Sequence, residues 1–146
     1  MKIYIDTSVI LIKLFGASSE REKSRYPFVE ELFELINTMR VNAIISLYVL
    51  QEIYAFCRQI CTESEIEYFA KEVFRELFQN ELGIAGMLTR EQRLIYGRQF
   101  NLVDASDQPH AVSSFLSGCN CLITYDSHFD VIKEQLPVFT PESLLE

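Results

Sequence analysis

Five aspartates, Asp6, Asp104, Asp107, Asp126 and Asp130, stand apart from the other acids of this chain. The 16 glutamates of the 21 acidic residues fall mostly in runs that suit helix surfaces, such as Glu30-Glu31-Glu34 and Glu63-Glu65-Glu67. Aspartate forms helices poorly and favours caps, turns and strand ends. Asp6 directly follows the apolar run Ile3-Tyr4-Ile5, and Asp126 stands two residues beyond Thr124, where a second apolar run ends. Glu52 lies in the first turns of a helix that Ser46 can cap, and its spacing alone leaves open which way it points. Asp107 stands where another helix begins: Pro109 is tolerated only in a first turn, which favours Ser106 or Asp107 over Asp104 as the cap. Should Asp6, Glu52, Asp107 and Asp126 meet, their mutual repulsion calls for a divalent cation. Carboxylate oxygens suit Mg²⁺ or Mn²⁺. One or two such ions could hold a phosphodiester, lower the pKa of a water and stabilise a leaving oxygen. Each acid also has a plainer role: helix cap for Asp6 and Asp107, exposed helical acid for Glu52, turn residue for Asp126.

The elements that must position these acids are short. Residues 2–5 predict a buried strand, followed by a helix over Val9–Phe15 that Gly16 to Ser19 closes. A charged connector, Glu20 to Arg25, leads to a helix from Tyr26 with Phe28, Val29, Leu32, Phe33, Leu35 and Ile36 at helical spacing. Val41 to Ile45 predicts a second strand. Two helices follow, one with Leu50, Ile53, Tyr54 and Cys57, the other with Ile66, Phe69, Ala70, Val73, Phe74 and Leu77. Leu82 to Ala85 reads as a strand, and Thr89 caps a helix reaching about Phe100. The helix beginning near Asp107 ends at Gly118; Cys119–Thr124 and Val138-Phe139 complete the strands. Short apolar strands separated by helices predict an α/β fold, with a central, mainly parallel sheet in a three-layer α/β/α arrangement. Binding crevices in such sheets open at the carboxyl ends of the strands, where Asp6 and Asp126 would both stand.

Composition sets bounds on function. The chain has 146 residues, 49% of them hydrophobic, and no repeat, linker or low-complexity segment, which predicts one folded domain over residues 1–146. A net charge of -8 argues against a uniformly basic nucleic-acid binder; a polyanion would need a local basic patch or bound cations. No stretch suits a membrane span, and the opening Met1-Lys2-Ile3-Tyr4-Ile5-Asp6 does not read as an export signal, so a cytoplasmic protein with reduced thiols is expected. Cys57 and Cys61, and Cys119 and Cys121, lack the usual zinc-pair spacing and read as free thiols.

Four segments, in order, carry a family resemblance. Ile5-Asp6-Thr7-Ser8-Val9-Ile10, Ser46-Leu47-Tyr48-Val49-Leu50-Gln51-Glu52-Ile53, Asp107-Gln108-Pro109-His110-Ala111 and Leu122-Ile123-Thr124-Tyr125-Asp126-Ser127-His128-Phe129 resemble the successive motifs of PIN-domain ribonucleases. Val138-Phe139-Thr140-Pro141-Glu142 resembles the usual ending. The resemblance spans nearly the whole chain and is nearest to the VapC-type toxins of toxin–antitoxin pairs. It implies a PIN-like domain acting as a Mg²⁺- or Mn²⁺-dependent endoribonuclease, often a homodimer and inhibited by a cognate antitoxin protein. It implies that Asp6, Glu52, Asp107 and Asp126 are the catalytic, metal-binding acids, with Thr7 or Ser8, and Thr124, in support. Asp104-Ala105 also resembles the third motif, so Asp104 competes with Asp107; Asp130 is a peripheral candidate or a turn residue.

Arg21, Lys23 and Arg25, and Arg90 and Arg93, are candidates for RNA phosphate contacts, against the alternative of a solvated surface. His110 and His128 flank two of the acids; a structural role suits His110 better than phosphate contact or proton transfer. A dehalogenase-like phosphatase would need a second Asp where Ser8 stands, and a response-regulator receiver needs paired N-terminal acids and a late Lys. The remaining alternative is a catalytically silent PIN-fold module that only binds RNA or protein. The apolar helix around Ile66–Leu77 suggests a homodimer.

Overall fold

The computed structural model describes all 146 residues. Five strands, β1 (Lys2–Ile5), β2 (Asn42–Ser46), β3 (Leu82–Ala85), β4 (Cys121–Ile123) and β5 (Val138–Phe139), form one sheet in the order β3-β2-β1-β4-β5. Every pairing is parallel: Ile3 lies opposite both Ala43 and Cys121, and Ile5 opposite Ile123. Ile3, Tyr4, Ile5, Ile45, Leu122 and Ile123 are fully buried, as strands covered on both faces must be.

Seven helices connect and cover the strands: α1 (Thr7–Phe15), α2 (Tyr26–Asn37), α3 (Leu47–Ile60), α4 (Ile66–Leu77), α5 (Arg90–Gly97), α6 (Gln108–Leu116) and α7 (Pro141–Leu145). Helices α1, α2, α3 and α4 pack on one another, α7 joins α2, and α5 packs with α6, which lies against β4. The chain steps from β1 through β2 to β3 and then returns to β4, and since crossovers between parallel strands are right-handed as a rule, the reversal puts the first group on one face and α5 and α6 on the other. A single cluster of 30 buried residues joins both layers to the sheet. No helix is long and apolar enough to cross a membrane.

Several boundaries differ from the sequence expectation. Helix α1 opens at Thr7, two residues early, because Asp6 itself is the cap and its side chain accepts from the Ser8 N–H. Helix α5 stops at Gly97, and β4 holds only Cys121–Ile123, the residues that pair with β1. Helix α7 is too short to show helical periodicity in the sequence; Thr140 caps it in a reciprocal bond with Ser143, and Pro141 occupies its first turn. Gly118 closes α6 at φ 69°, a left-handed conformation that glycine adopts without a Cβ clash. The apolar side chains of Ile66–Leu77 are largely spent inside the molecule: Ala70, Val73 and Leu77 are buried, and Ile66, Phe69 and Phe74 pack against the core. Tyr68 of this helix is exposed, as are Ile84 of β3, Met87 after it, and Leu94 and Ile95 of α5.

Candidate metal centre

The sheet order fixes where the acids can meet. From β1 the chain crosses to β2 on one side, whereas β4 pairs on the other, so the crevice at the carboxyl edge opens between β1 and β4. Asp6 leaves β1 at that edge, and its N–H donates to the Ile123 carbonyl of β4 at 3.0 Å. Asp126 leaves β4 beside it.

Asp6 is 5% exposed and held from two elements. Thr124 Oγ1 donates to its Oδ2 at 2.8 Å and Ser8 Oγ at 2.9 Å. The same two hydroxyls brace the turn after β4: Thr124 Oγ1 accepts from the Asp126 N–H at 2.9 Å, and Ser8 Oγ accepts from the Tyr125 N–H at 3.0 Å. Asp126 in turn caps the short 3-10 turn at Ser127–Ile132, accepting from the His128 N–H. The Thr7 hydroxyl, the other supporting candidate, is buried without a hydrogen bond.

Asp107 stands immediately before α6 but does not cap it. Its backbone is already helical, with φ -82° and ψ -24°, and its side chain makes no capping bond. The residue is 9% exposed, and its Oδ2 is buried without a hydrogen-bond partner. Burial first, then the charges of Asp126, Asp104 and Asp6, raise the Asp107 pKa to about 6. Three ligand atoms, one each from Asp107, Asp126 and His128, lie within 4.8 Å of one another. His128 Nδ1 is 3.3 Å from Asp126 Oδ1 and 4.0 Å from Asp107 Oδ2. Burying an unpartnered carboxylate oxygen is costly, and a cation removes that cost. The donor set of carboxylates and one imidazole suits a divalent ion.

Glu52 has a different environment. Its Oε1 is hydrogen-bonded to Nε2 of His110, which is 1% exposed. His110 Nδ1 pairs with the Tyr4 hydroxyl at 2.8 Å, and that hydroxyl pairs with Ser46 Oγ at 2.7 Å. Burial disfavours the imidazolium of His110, yet the Glu52 bond and the charges of Asp6, Glu52 and Asp107 outweigh it and raise its pKa. The buried ring therefore lies within the field of three of the four acids. Helical spacing could not show that α3 and α6 meet here.

The competing aspartates have other engagements. Asp104 is exposed and accepts from the Ser106 N–H and hydroxyl at 2.9 and 2.8 Å, bonds that lower its pKa. Asp130 is exposed and pairs with Lys133 at 3.0 Å. All four cysteines are free thiols.

The basic residues flank the acids. Arg25 stacks over Tyr125 at 4.5 Å and lines, with Arg21, Ser8, Leu11 and Phe15, a cavity of ≈ 400 Å³ beside α1. Arg90 and Arg93, neither in an ion pair, line a second cavity of ≈ 400 Å³ with Leu94, Gln108, Pro109 and Val112, next to Asp107. Lys23 is exposed.

No protein-family model and no curated protein matches the sequence. Solved structures do match its fold. VapBC2 from Rickettsia felis, crystallised on a DNA fragment from the promoter, superposes with a TM-score of 0.67 at 14% identity, over 94% of this chain and 97% of that one. FitAcB from Neisseria gonorrhoeae gives 0.65 at 17% identity, over 96% and 98%. VapC20 from Mycobacterium tuberculosis, a toxin that cleaves the sarcin–ricin loop, gives 0.62 at 13%, over 88% and 93%. The five-stranded parallel sheet between helical layers is thus a PIN-type α/β/α fold. The chain shares that fold along nearly its whole length with these structures.

Proposed function

We propose that this protein is a Mg²⁺- or Mn²⁺-dependent endoribonuclease, and the toxin of a toxin–antitoxin pair. The observation that carries the reading is the buried, unpartnered Asp107 Oδ2 facing Asp126 at the sheet's switch point. Asp6, Asp107 and Asp126 would hold the cation, with Glu52 completing the set or orienting a water. The ion, when bound, would activate a water and stabilise the leaving oxygen of a phosphodiester. The chain's own residues do the positioning. Ser8 and Thr124 fix Asp6, and through the Tyr125 and Asp126 N–H groups respectively they fix the turn that carries Asp126. Arg90 and Arg93 on one side, and Arg21, Lys23 and Arg25 on the other, would bind RNA phosphates and offset the -8 charge locally.

The likeness to VapBC and FitAcB structures supports a small antitoxin protein as partner, and a cytoplasmic single-domain protein. The exposed apolar side chains Met87, Leu94 and Ile95 support a homodimer.

Total cellular RNA incubated with the protein and Mn²⁺ is the test. Cleavage is expected with wild type, is expected to disappear with chelator, and is expected to fall at least about a hundredfold in Asp6→Asn with the fold retained. Equal cleavage by wild type and Asp6→Asn would overturn the assignment. No cleavage by either would favour the silent binding module.

A further inference from the structure

The metal-ligand set implied by the family resemblance is made of carboxylates alone. At this site a nitrogen stands among them. His128 Nδ1 is 3.3 Å from Asp126 Oδ1 and 4.0 Å from Asp107 Oδ2. An ion bonded at about 2.1 Å to two ligand atoms holds them no more than about 4.2 Å apart, so both separations fit one shared ion. The turn Asp126-Ser127-His128 accounts for the first distance, since Asp126 Oδ1 accepts from the His128 backbone N–H and the two residues are held within one turn. It does not account for the second, because Asp107 belongs to α6. Asp107 supplies the independent sign of a missing ligand: nine-tenths buried, its Oδ2 has no partner. The His128 side chain is 60% exposed, so its ring can settle onto an ion without moving the core, and solvent has access to the remaining coordination positions.

We propose that His128 is a direct ligand of the divalent ion, through Nδ1, and that this nitrogen biases the site toward Mn²⁺ and other transition ions over Mg²⁺. Imidazole suits the later first-row ions, whereas Mg²⁺ prefers oxygen and retains water. This inference rests on the metal-dependent reading above and names the ion class that the sequence leaves open.

The test uses the intact protein with Mn²⁺ alone and needs no RNA. Mn²⁺ is titrated by electron paramagnetic resonance, and pulsed measurements on the bound ion detect coupling to ¹⁴N. Wild type is expected to bind Mn²⁺ with an imidazole nitrogen coupling. His128→Ala and His128→Gln are expected to lose that coupling and at least about tenfold in Mn²⁺ affinity, with Mg²⁺ affinity, read by competition, changed less than about threefold. Unchanged thermal unfolding without metal would show that these losses arise at the ion. Bound Mn²⁺ without a nitrogen coupling, or a coupling that survives in His128→Ala, would overturn the proposal while the carboxylate site stands. Failure of wild type to bind Mn²⁺ at all would overturn the metal reading, and this inference with it.

Discussion

His110 and His128 stand at the same end of the sheet in opposite circumstances. His110 is buried, and both ring nitrogens are engaged, by Tyr4 and by Glu52, in a chain that ends at Ser46. His128 is exposed and leans on two carboxylates, one of which has a buried oxygen with no partner. A satisfied polar network holds β1, β2, α3 and α6 together at this edge and asks for nothing more. An unsatisfied carboxylate next to it carries a cost that a proton or a bound cation relieves. The contrast separates scaffold from site without reference to any relative.

The largest effect on folding should follow from breaking the satisfied network. His110→Ala leaves the Tyr4 hydroxyl and Glu52 without their partner and opens a cavity, and should cost about 3 kcal/mol in chemical denaturation. A loss below about 1 kcal/mol would show that the chain is not structural.

The unsatisfied side should respond with the opposite sign. The pKa of Asp107 is raised to about 6 by burial and by Asp126, Asp104 and Asp6. A carboxyl raised above its unfolded value contributes fully below the unfolded pKa near 3.8, and that contribution is lost as pH rises through 6. Asp107→Asn should therefore stabilise the metal-free protein above pH 6, by about 2 kcal/mol after allowance for screening at the mouth of the site, with little gain at pH 4. Denaturation at the two pH values checks this, and destabilisation at pH 8 would contradict it. For the same reason Mn²⁺ binding should weaken as pH falls below 6, since the ion must displace a proton.

The smallest effect is expected at Asp104, whose carboxylate is spent on Ser106. Asp104→Ala should change stability by no more than about 1 kcal/mol and leave Mn²⁺ affinity unaltered. A tenfold loss of affinity would make Asp104 the third acid.

Much of this geometry was legible in the sequence because it follows from order and period. Apolar runs at Ile3-Tyr4-Ile5 and Cys121-Leu122-Ile123 had to be buried strands, and parallel strands bring Asp6 and Asp126 to one edge. Pro109 located the start of α6, and with it Asp107. What the sequence could not carry is side-chain direction between elements. Nothing in the spacing of Glu52 pointed to His110, because the bond crosses from α3 to α6. The idle carboxylate of Asp107 was equally hidden, since residues before a helix usually cap it. The approach of His128 to Asp107 is not encoded in local spacing either, since it depends on how the turn after β4 closes. The inward packing of Phe69 and Phe74 likewise depends on where α1 lies, which helical periodicity does not report.

If the carboxylates at this edge hold a divalent ion, that ion must stabilise the folded protein. Thermal unfolding with and without Mn²⁺ at pH 7.5, for wild type and Asp126→Asn, tests it most directly. The wild-type midpoint is expected to climb with Mn²⁺, reaching about 2.7 kcal/mol of added stability at a hundred times the dissociation constant, with little or no rise for Asp126→Asn. A wild-type midpoint indifferent to Mn²⁺, or one that Asp126→Asn matches, would contradict it.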